Sequence, residues 1–329
     1  MNKISLVKKI YMVLVLIFIG VGCLACSSST ASFNYESAQM QFNKGNYEEA
    51  KKYIDKAVKA KKNKAEYLIL AGHIYSQLDD MDKALELFDS AIIESDKVVD
   101  LENNKDAYRG KGIVYFEKQK YDKAINEFDT ALNIDANVSL DKDILKYKID
   151  ALNMNKEYKD AIKLGNIYME NFGEDNYIYI LQGQGYANLD DEKNMKKKID
   201  KAISNGEVDG YYHLAKCYFQ LKKYKEAIDN YEIFIDKNSQ INKEPIYLGM
   251  INCLINSKEY DKALSIARDN SKSNNKEYSK VFKKNVVGIL EKQGNFDDAY
   301  VEAKEYLAEY TDDKEMEKEV SFLETRIIK

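Results

Sequence analysis

The segment Lys105–Ala136 shows the pattern of apolar and polar positions that recurs through most of the chain. Its apolar and small residues lie three or four positions apart, a spacing that places them on one face of an α-helix. These residues are Tyr108, Gly112, Tyr115, Tyr121, Ala124, Phe128 and Ala131. Because the pattern is interrupted near Glu117–Lys120, the segment predicts two short amphipathic helices packed antiparallel.

Copies of this segment are marked by a small residue near the start of the second helix, which we term the register residue. The register residues are Ala50, Ala84, Ala124, Ala161, Met195, Ala227, Ala263 and Ala299. In six of the eight copies an aromatic residue stands three positions earlier, as in Tyr121/Ala124. Successive register residues are 34, 40, 37, 34, 32, 36 and 36 positions apart, which predicts eight stacked helical repeats.

In five of the eight copies the first helix carries a second mark, a small residue, which in four of them is followed three positions later by tyrosine. The small residues are Ala38, Gly72, Gly112, Gly183 and Ala215. This order of small and aromatic positions resembles the tetratricopeptide repeat (TPR) family, whose helix–turn–helix units bury their faces by stacking. The resemblance implies an all-α, right-handed α-solenoid of about eight repeats over residues 33–311. Residues 312–329 should then form a C-terminal capping helix with Met316, Val320, Leu323 and Ile327 on one face.

The repeats are irregular at several places. Extra residues around Lys97–Asn104 predict a loop or an additional helical turn between repeats two and three. Repeats four, seven and eight have Ile149, Ile251 and Val287 at the small first-helix position, so their helix pairs should lie farther apart or tilt differently. The proline usual at the end of the family's second helix is missing throughout, so Asn, Asp and Gly should end those helices.

Composition agrees with a helical chain and argues against one class of partner. The 329 residues include one proline, and the formal net charge is −5. Removing the three lysines of the N-terminal segment leaves −8, which argues against a general nucleic-acid binder.

The N-terminal segment has the pattern of a secretory signal peptide. Basic residues precede an apolar run from Ile10 to Val21, which is shorter than the roughly 20 residues that span a bilayer. The sequence up to Gly22-Cys23 resembles the lipobox of bacterial lipoproteins, in which the cysteine is acylated with fatty acids such as palmitate. We therefore expect a signal peptide over 1–22, lipidation at Cys23 with Cys26 as the alternative, and a flexible tether over 23–32. The alternative is plain secretion after cleavage at a nearby small residue.

Few residues suggest catalysis. His73 and His213 have no second ligand at metal spacing, and each is interpreted as a surface or groove residue. Cys217 and Cys253 lie 36 positions apart in one repeat column, so buried free thiols are favoured over a disulfide. Without a phosphate loop, a catalytic triad or a CxxC pair, we expect no enzyme activity, cofactor or metal.

The family instead presents a concave groove lined by its first helices, and the resemblance assigns groove positions to this chain. Repeats two to four contribute Glu66, Ile69, His73, Gln77, Asp106, Arg109, Ile113, Glu117, Asp143, Lys146, Asp150 and Met154. Repeats five to seven contribute Tyr177, Ile180, Gln184, Asn188, Asp209, Tyr212, Lys216, Gln220, Leu248, Asn252 and Asn256. The second set, without Asp209 and Leu248, is the candidate partner-binding groove, because amides and tyrosines suit an extended peptide. The alternative is that these side chains only solvate the inner face.

A cluster of lysines in the first repeat is a further candidate surface. It comprises Lys51, Lys52, Lys56, Lys59, Lys61, Lys62 and Lys64. The cluster either contacts an anionic surface, such as lipid head groups or cell-wall polyanions, or is an ordinary solvated face.

Together these features predict a non-enzymatic scaffold, lipid-anchored outside the bacterial cytoplasmic membrane, that binds a protein or peptide partner. Neither nucleic acid nor a small molecule is expected to bind. Two alternatives stay open: an enzyme or small-ligand receptor that uses the groove, and a cytosolic peptide-sensing regulator with residues 1–26 intact.

Overall fold

The structure, a computed structural model, describes residues 30–327, and its regular structure there is helical throughout. The helices of the first half are α1 (Thr30–Asn43), α2 (Tyr47–Ala60), α3 (Ala65–Gln77), α4 (Met81–Ala91), α5 (Val98–Glu117), α6 (Tyr121–Leu132), α7 (Asp141–Met154) and α8 (Tyr158–Phe172). Those of the second half are α9 (Asn176–Asn188), α10 (Glu192–Ser204), α11 (Asp209–Gln220), α12 (Tyr224–Lys237), α13 (Glu244–Asn256), α14 (Tyr260–Asn270), α15 (Lys276–Gln293), α16 (Phe296–Glu309) and α17 (Lys314–Ile327). A single 3₁₀ turn, Val138–Leu140, precedes α7. The prediction of an all-α helical-repeat solenoid is confirmed.

The helices form two compact units, one ending at Glu174 and the other beginning at Asp175. In unit 1, helices α1 to α8 pack as four consecutive pairs, and in unit 2, helices α9 to α16 pack as four more. Helix α17 packs on α16 and covers the end of unit 2, burying Met316, Val320 and Leu323. These eight pairs coincide with the eight repeats that the register residues mark.

The two helices of every pair are joined by the same turn. The residue five positions before each register residue adopts a left-handed conformation, with φ between 56° and 78°. These turn residues are Gly45, Asp79, Gln119, Lys156, Asp190, Lys222, Lys258 and Gly294. In each turn the next residue's N–H donates to the carbonyl five residues back, at 2.8–3.0 Å, as Asp80 does to Tyr75. This is the Schellman arrangement, which ends the first helix of each pair and satisfies its last carbonyls.

The register residue explains why a small side chain recurs at the start of the second helix. All eight register residues, including Met195, are 0% exposed. In three turns the aromatic residue three positions before the register residue packs on a phenylalanine of the first helix, in the pairs Phe42–Tyr47, Phe116–Tyr121 and Phe219–Tyr224. Ring centroids are 5.6 Å apart for both Phe42–Tyr47 and Phe116–Tyr121. In these three turns the packed rings cover the Schellman bonds.

The small residue of the first helix makes room for a bulky residue of the second. A Cβ added at Gly112 would lie 2.4 Å from Phe128, and one at Gly72 would lie 2.7 Å from Phe88. Where the sequence instead has Ile149, Ile251 or Val287, these side chains are buried in the same layer. The packing of each pair thus depends on complementary volumes at these two positions.

The extra residues between repeats two and three, predicted to form either a loop or an additional helical turn, lengthen a helix. Helix α5 has 20 residues and begins at Val98. Asn104 holds the segment before α5 against this helix. Its side-chain oxygen accepts from the Ile93 N–H at 3.0 Å, and its side-chain nitrogen donates to the Ile93 carbonyl at 2.7 Å. The adjacent Lys105 is 1% exposed, donates to the Ile134 carbonyl at 3.0 Å and pairs with Asp141 at 2.5 Å.

At the N-terminal end, helix α1 begins at Thr30, so residues 30–32 are helical although the sequence places them in the tether. The signal peptide, Cys23, Cys26 and the rest of the tether lie outside the described residues. Within the described residues, no helix has both the length and the apolar character needed to cross a membrane.

Two glycines of unit 2 test the volume rule with a matched control. We expect Gly183→Ala to destabilise the protein by about 1–3 kcal/mol, because the new Cβ would lie 2.4 Å from the β-branched, buried Ile199. Gly288→Ala should be neutral or stabilising by up to about 1 kcal/mol, since no atom lies within 4 Å of its added Cβ. Urea unfolding followed by circular dichroism measures both. Equal midpoints for the two variants would contradict the rule.

Candidate functional site

The first helices of neighbouring pairs lie side by side within each unit. Helices α1, α3, α5 and α7 contact one another in order in unit 1, and α9 contacts α11 and α13 contacts α15 in unit 2. Residues at one repeat position therefore form a row across α1, α3, α5 and α7 in unit 1, and shorter rows across α9 and α11 and across α13 and α15 in unit 2. We term the two surfaces the unit 1 groove and the unit 2 groove.

The unit 1 groove is crossed by a row of charged side chains that pair with one another. His73 Nε2 lies 3.5 Å from Asp106, whose other neighbour is Arg109 at 3.4 Å. Arg109 also binds Asp143 through two nitrogens, at 2.5 and 2.6 Å, and both side chains are less than 15% exposed. Burial by itself would raise the pKa of Asp106, but His73 and Arg109 lower it to about 2. These groups link α3, α5 and α7, so they already have partners within the protein.

The remaining unit 1 groove positions divide between core and surface. Ile69 and Ile113 are 5% and 3% exposed, so they belong to the core beneath the groove. Lys146 lies over the ring of Tyr168, 5.7 Å from its centroid. The side chains that remain partly or fully accessible are Glu66, Gln77, Glu117, Asp150 and Met154.

In the unit 2 groove the predicted residues have a different environment. The exposed members are Asn188, Lys216, Gln220, Asn252 and Asn256, and the half-buried members are Tyr177, Gln184 and Tyr212. Ile180 is 4% exposed, so its side chain packs in the core and is not available to a ligand. The accessible candidate residues of this groove are amides, one lysine and two tyrosines, and Asp209 and Leu248 of the same columns are also half-buried.

A small cluster connects α9 and α11 at the centre of this groove. The Gln184 amide nitrogen lies 3.0 Å from His213 Nδ1, and the His213 ring meets the Tyr212 ring edge-on at 5.7 Å. Lys216, one turn farther along α11, places its Nζ 5.4 Å from the centre of the Tyr212 ring. The four side chains together present an amide, an aromatic face and a cation within one surface region.

Tyr212 is held in place from below. Its ring packs on Tyr231 at 6.0 Å and on Phe234 at 5.6 Å, and both belong to α12. Burial raises the pKa of Tyr212, with a smaller contribution from Tyr278, so it stays a neutral phenol at physiological pH. An anchored aromatic ring with a polar tip suits recognition of an extended chain, because little side-chain entropy is lost on binding.

The amide side chains of the groove are partly ordered by their own helices. The Asn188 side chain donates to the Gln184 carbonyl at 2.9 Å, and Asn256 donates to the Asn252 carbonyl at 2.8 Å. These bonds hold the amides along the helix surface and restrict their rotation before any ligand arrives.

His213 is the member of this cluster that the repeat columns do not identify. It follows Tyr212 by one residue, off the groove column, and it reaches Gln184 only because α9 and α11 pack side by side. Burial lowers the pKa of His213 to about 4, and the neighbouring Lys216 adds to the effect. The ring is therefore neutral at physiological pH and acts as a hydrogen-bonding group rather than a cation.

The two structural cysteines are free and buried, as the sequence predicts. Burial raises the pKa of the Cys217 thiol to about 12 and that of Cys253 to about 11, so both are poor nucleophiles. Across residues 30–327, no three His, Cys, Asp or Glu side chains are grouped so as to hold a metal ion.

Known protein families share this repeat architecture. The family model described as "Tetratricopeptide repeat" matches residues 35–99 and 109–176. A second model, "Anaphase-promoting complex, cyclosome, subunit 3", matches residues 154–234. A curated TPR repeat-containing protein of Methanocaldococcus jannaschii is 28% identical over 207 residues, which cover 59% of this chain but only 35% of that relative.

Solved structures with a similar fold include a tetratricopeptide repeat protein from Parabacteroides merdae. It superimposes with a TM-score of 0.63 at 16% identity and covers 80% of this chain and 100% of its own. YrrB, described as a TPR protein with an unusual peptide-binding site, has a TM-score of 0.42 at 21% identity over 57% of this chain and 93% of its own.

The environment of His213 leads to a titration prediction. We expect its pKa near 4 in the folded protein, and Lys216→Met should raise it because a neighbouring cation is removed. Since this pKa lies below the usual value of about 6.5, the related stability is complete above about pH 6.5 and falls as the pH approaches 4. NMR titration of the imidazole measures the pKa. An ordinary value, unchanged by Lys216→Met, would show that the ring is solvated.

Proposed function

Because the chain is a tetratricopeptide-repeat protein, we propose that it is a non-enzymatic scaffold that binds a protein or peptide partner in the unit 2 groove. Proteins of this repeat family generally serve as interaction scaffolds. The observation that favours the unit 2 groove as the binding surface is the contrast between the two units. In unit 1 the charged row of His73, Asp106, Arg109 and Asp143 pairs within the protein, whereas the unit 2 groove exposes amides and a lysine around an anchored tyrosine.

The chemistry of the unit 2 groove favours an extended peptide segment. The side-chain amides of Asn252 and Gln220 can donate hydrogen bonds to a peptide backbone and accept hydrogen bonds from it. The backbone is the same in every peptide, so these contacts do not depend on the sequence of the ligand. The Tyr212 ring offers a flat apolar surface for one side chain of the ligand, and Lys216 favours a neighbouring acidic group. A ligand of this kind would bind with modest affinity and low charge selectivity along most of its length.

The cellular location is part of the proposal. The basic start, the apolar run from Ile10 to Val21 and the cysteine at position 23 support an exported lipoprotein held at the outer face of the bacterial cytoplasmic membrane. One acyl chain gives only marginal membrane binding, and a second on the same cysteine makes the attachment stable. The repeat array would then present its groove to partners in the cell envelope.

Site-specific photocrosslinking tests the groove. A photoreactive residue at Gln220 or Asn252, both exposed in the unit 2 groove, should capture one defined partner in cells. Lys225, exposed on the second helix α12, is the control for the outer surface, and Gln77 is the control at the matching position of the unit 1 groove. Capture should fail at both controls, and equal capture at Lys225 and Gln220 would remove the groove from the proposal.

Lipid attachment is tested separately. Metabolic labelling with a fatty-acid analogue should label the wild-type chain, and Cys23→Ala together with Cys26→Ala should abolish the label. The single variants identify which cysteine is modified. A wild-type chain that takes up no fatty-acid label would contradict the anchor.

A further inference from the structure

In unit 1 the first helices of repeats two, three and four each have a face that packs on the preceding repeat. Two positions define it, five before and two after the small first-helix residue. In α3 these are Tyr67 and Ile74, in α5 Ala107 and Val114, and in α7 Ile144 and Ala151. All six side chains are at most 1% exposed. The contact is direct, since Tyr67 of α3 stacks on Tyr35 of α1 with ring centroids 4.6 Å apart.

In α1 the same two positions carry Phe33 and Met40, and both are exposed. Phe33 is 56% exposed and Met40 is 49% exposed. Among residues 30–327 no helix precedes α1, so this stacking face has no repeat to cover it. Exposed large apolar side chains at a position that is otherwise fully buried indicate a surface that is covered by something else in the working protein.

The charge of the same repeat indicates what covers it. Residues 30–64 contain eight lysines and four carboxylates, a formal charge of +4 in a chain whose total is −5. Some of these lysines are engaged, as Lys52 is with Glu49 at 2.7 Å and Lys51 is over the Tyr75 ring at 4.9 Å. Lys59 and Lys62, in contrast, are exposed and have no ion-pair partner within the described part of the chain.

We infer that repeat one docks on an anionic bilayer surface, with Phe33 and Met40 inserted among the lipids and the lysines above the phosphate groups. Repeat one thus carries both exposed apolar side chains and exposed lysines, the two elements that interfacial binding requires. A second copy of the chain is a poorer occupant, because stacking two repeats end to end would bring two charges of +4 together.

This inference rests on the proposed lipid anchor, which would hold repeat one beside the membrane. Phe33 follows Cys23, the preferred lipidation site, by ten residues, so even an extended chain keeps it within about 35 Å of that cysteine. Insertion of Phe33 and Met40 would fix the orientation of the first repeat on the membrane surface. Attachment through the acylated cysteine alone would leave that orientation variable.

The absence of tryptophan from the chain allows a direct test. The full-length protein carrying Phe33→Trp is reconstituted in vesicles that contain phosphatidylglycerol and brominated phosphatidylcholine, which quenches inserted indoles. Phe322→Trp, on the exposed side of α17 at 43% exposure, is the matched control at the other end of the chain. We expect strong quenching at position 33 and none at position 322.

A second arm separates this inference from the anchor. The Cys23→Ala, Cys26→Ala chain carrying Phe33→Trp is added to the same vesicles and to vesicles of phosphatidylcholine alone. Binding should require the anionic lipid, and its affinity should fall roughly fivefold for each of Lys59→Gln and Lys62→Gln. Quenching in this arm supports the docking surface whether or not the native chain is lipidated.

Three results would overturn the inference while leaving the anchor and the groove intact. The first is a membrane-bound Phe33→Trp chain whose indole is not quenched. The second is equal quenching at positions 33 and 322. The third is an emission spectrum of the Phe33→Trp variant that shifts with protein concentration in the absence of lipid, which would assign the face to a second copy.

Discussion

The Schellman turn inside each repeat is the constraint on which the rest of the structure depends. It places a left-handed residue five positions before a fully buried register residue, in all eight repeats. Six of those turn residues are not glycine, and each such conformation costs about 1 kcal/mol or more. This cost is offset because the turn satisfies the last carbonyls of the first helix and directs the second helix back along it. Ala124 and its counterparts then allow the two helices to pack closely.

All eight helix pairs share the same turn. The environment of a first-helix side chain therefore depends on the neighbouring helices rather than on its position in the repeat. Arg109 and Lys216 both lie on first helices, but Arg109 is neutralised by Asp106 and Asp143 whereas Lys216 lies over an aromatic ring. Phe33 and Tyr67 occupy one column, and only the first is exposed, because α3 has a preceding repeat to pack on. The same repeat pattern therefore gives a unit 1 groove whose charged row is paired, a unit 2 groove with accessible amides, and an α1 face with two exposed apolar residues.

Much of the fold could be predicted because helical repeats are encoded locally. The register residues located all eight pairs, and the volume pattern at Gly112 and Phe128 is visible as a small residue facing a large one. The buried thiols Cys217 and Cys253 followed from their shared column. The groove was predicted less well, since Ile180 lies on the groove column yet points into the core, and His213 lies off the column yet contacts Gln184.

By itself, the sequence determined the helix pairs, their number and the cap, because hydrophobic spacing acts within a few turns of one helix. Only the tertiary structure decided which polar residues are already satisfied and which face outward. Those outcomes depend on distances between separate helices, such as the contact of Arg109 with Asp143 across 34 residues of chain. The exposure of Phe33 and Met40 is of the same kind, since their residue types do not show that no helix of residues 30–327 packs on this face.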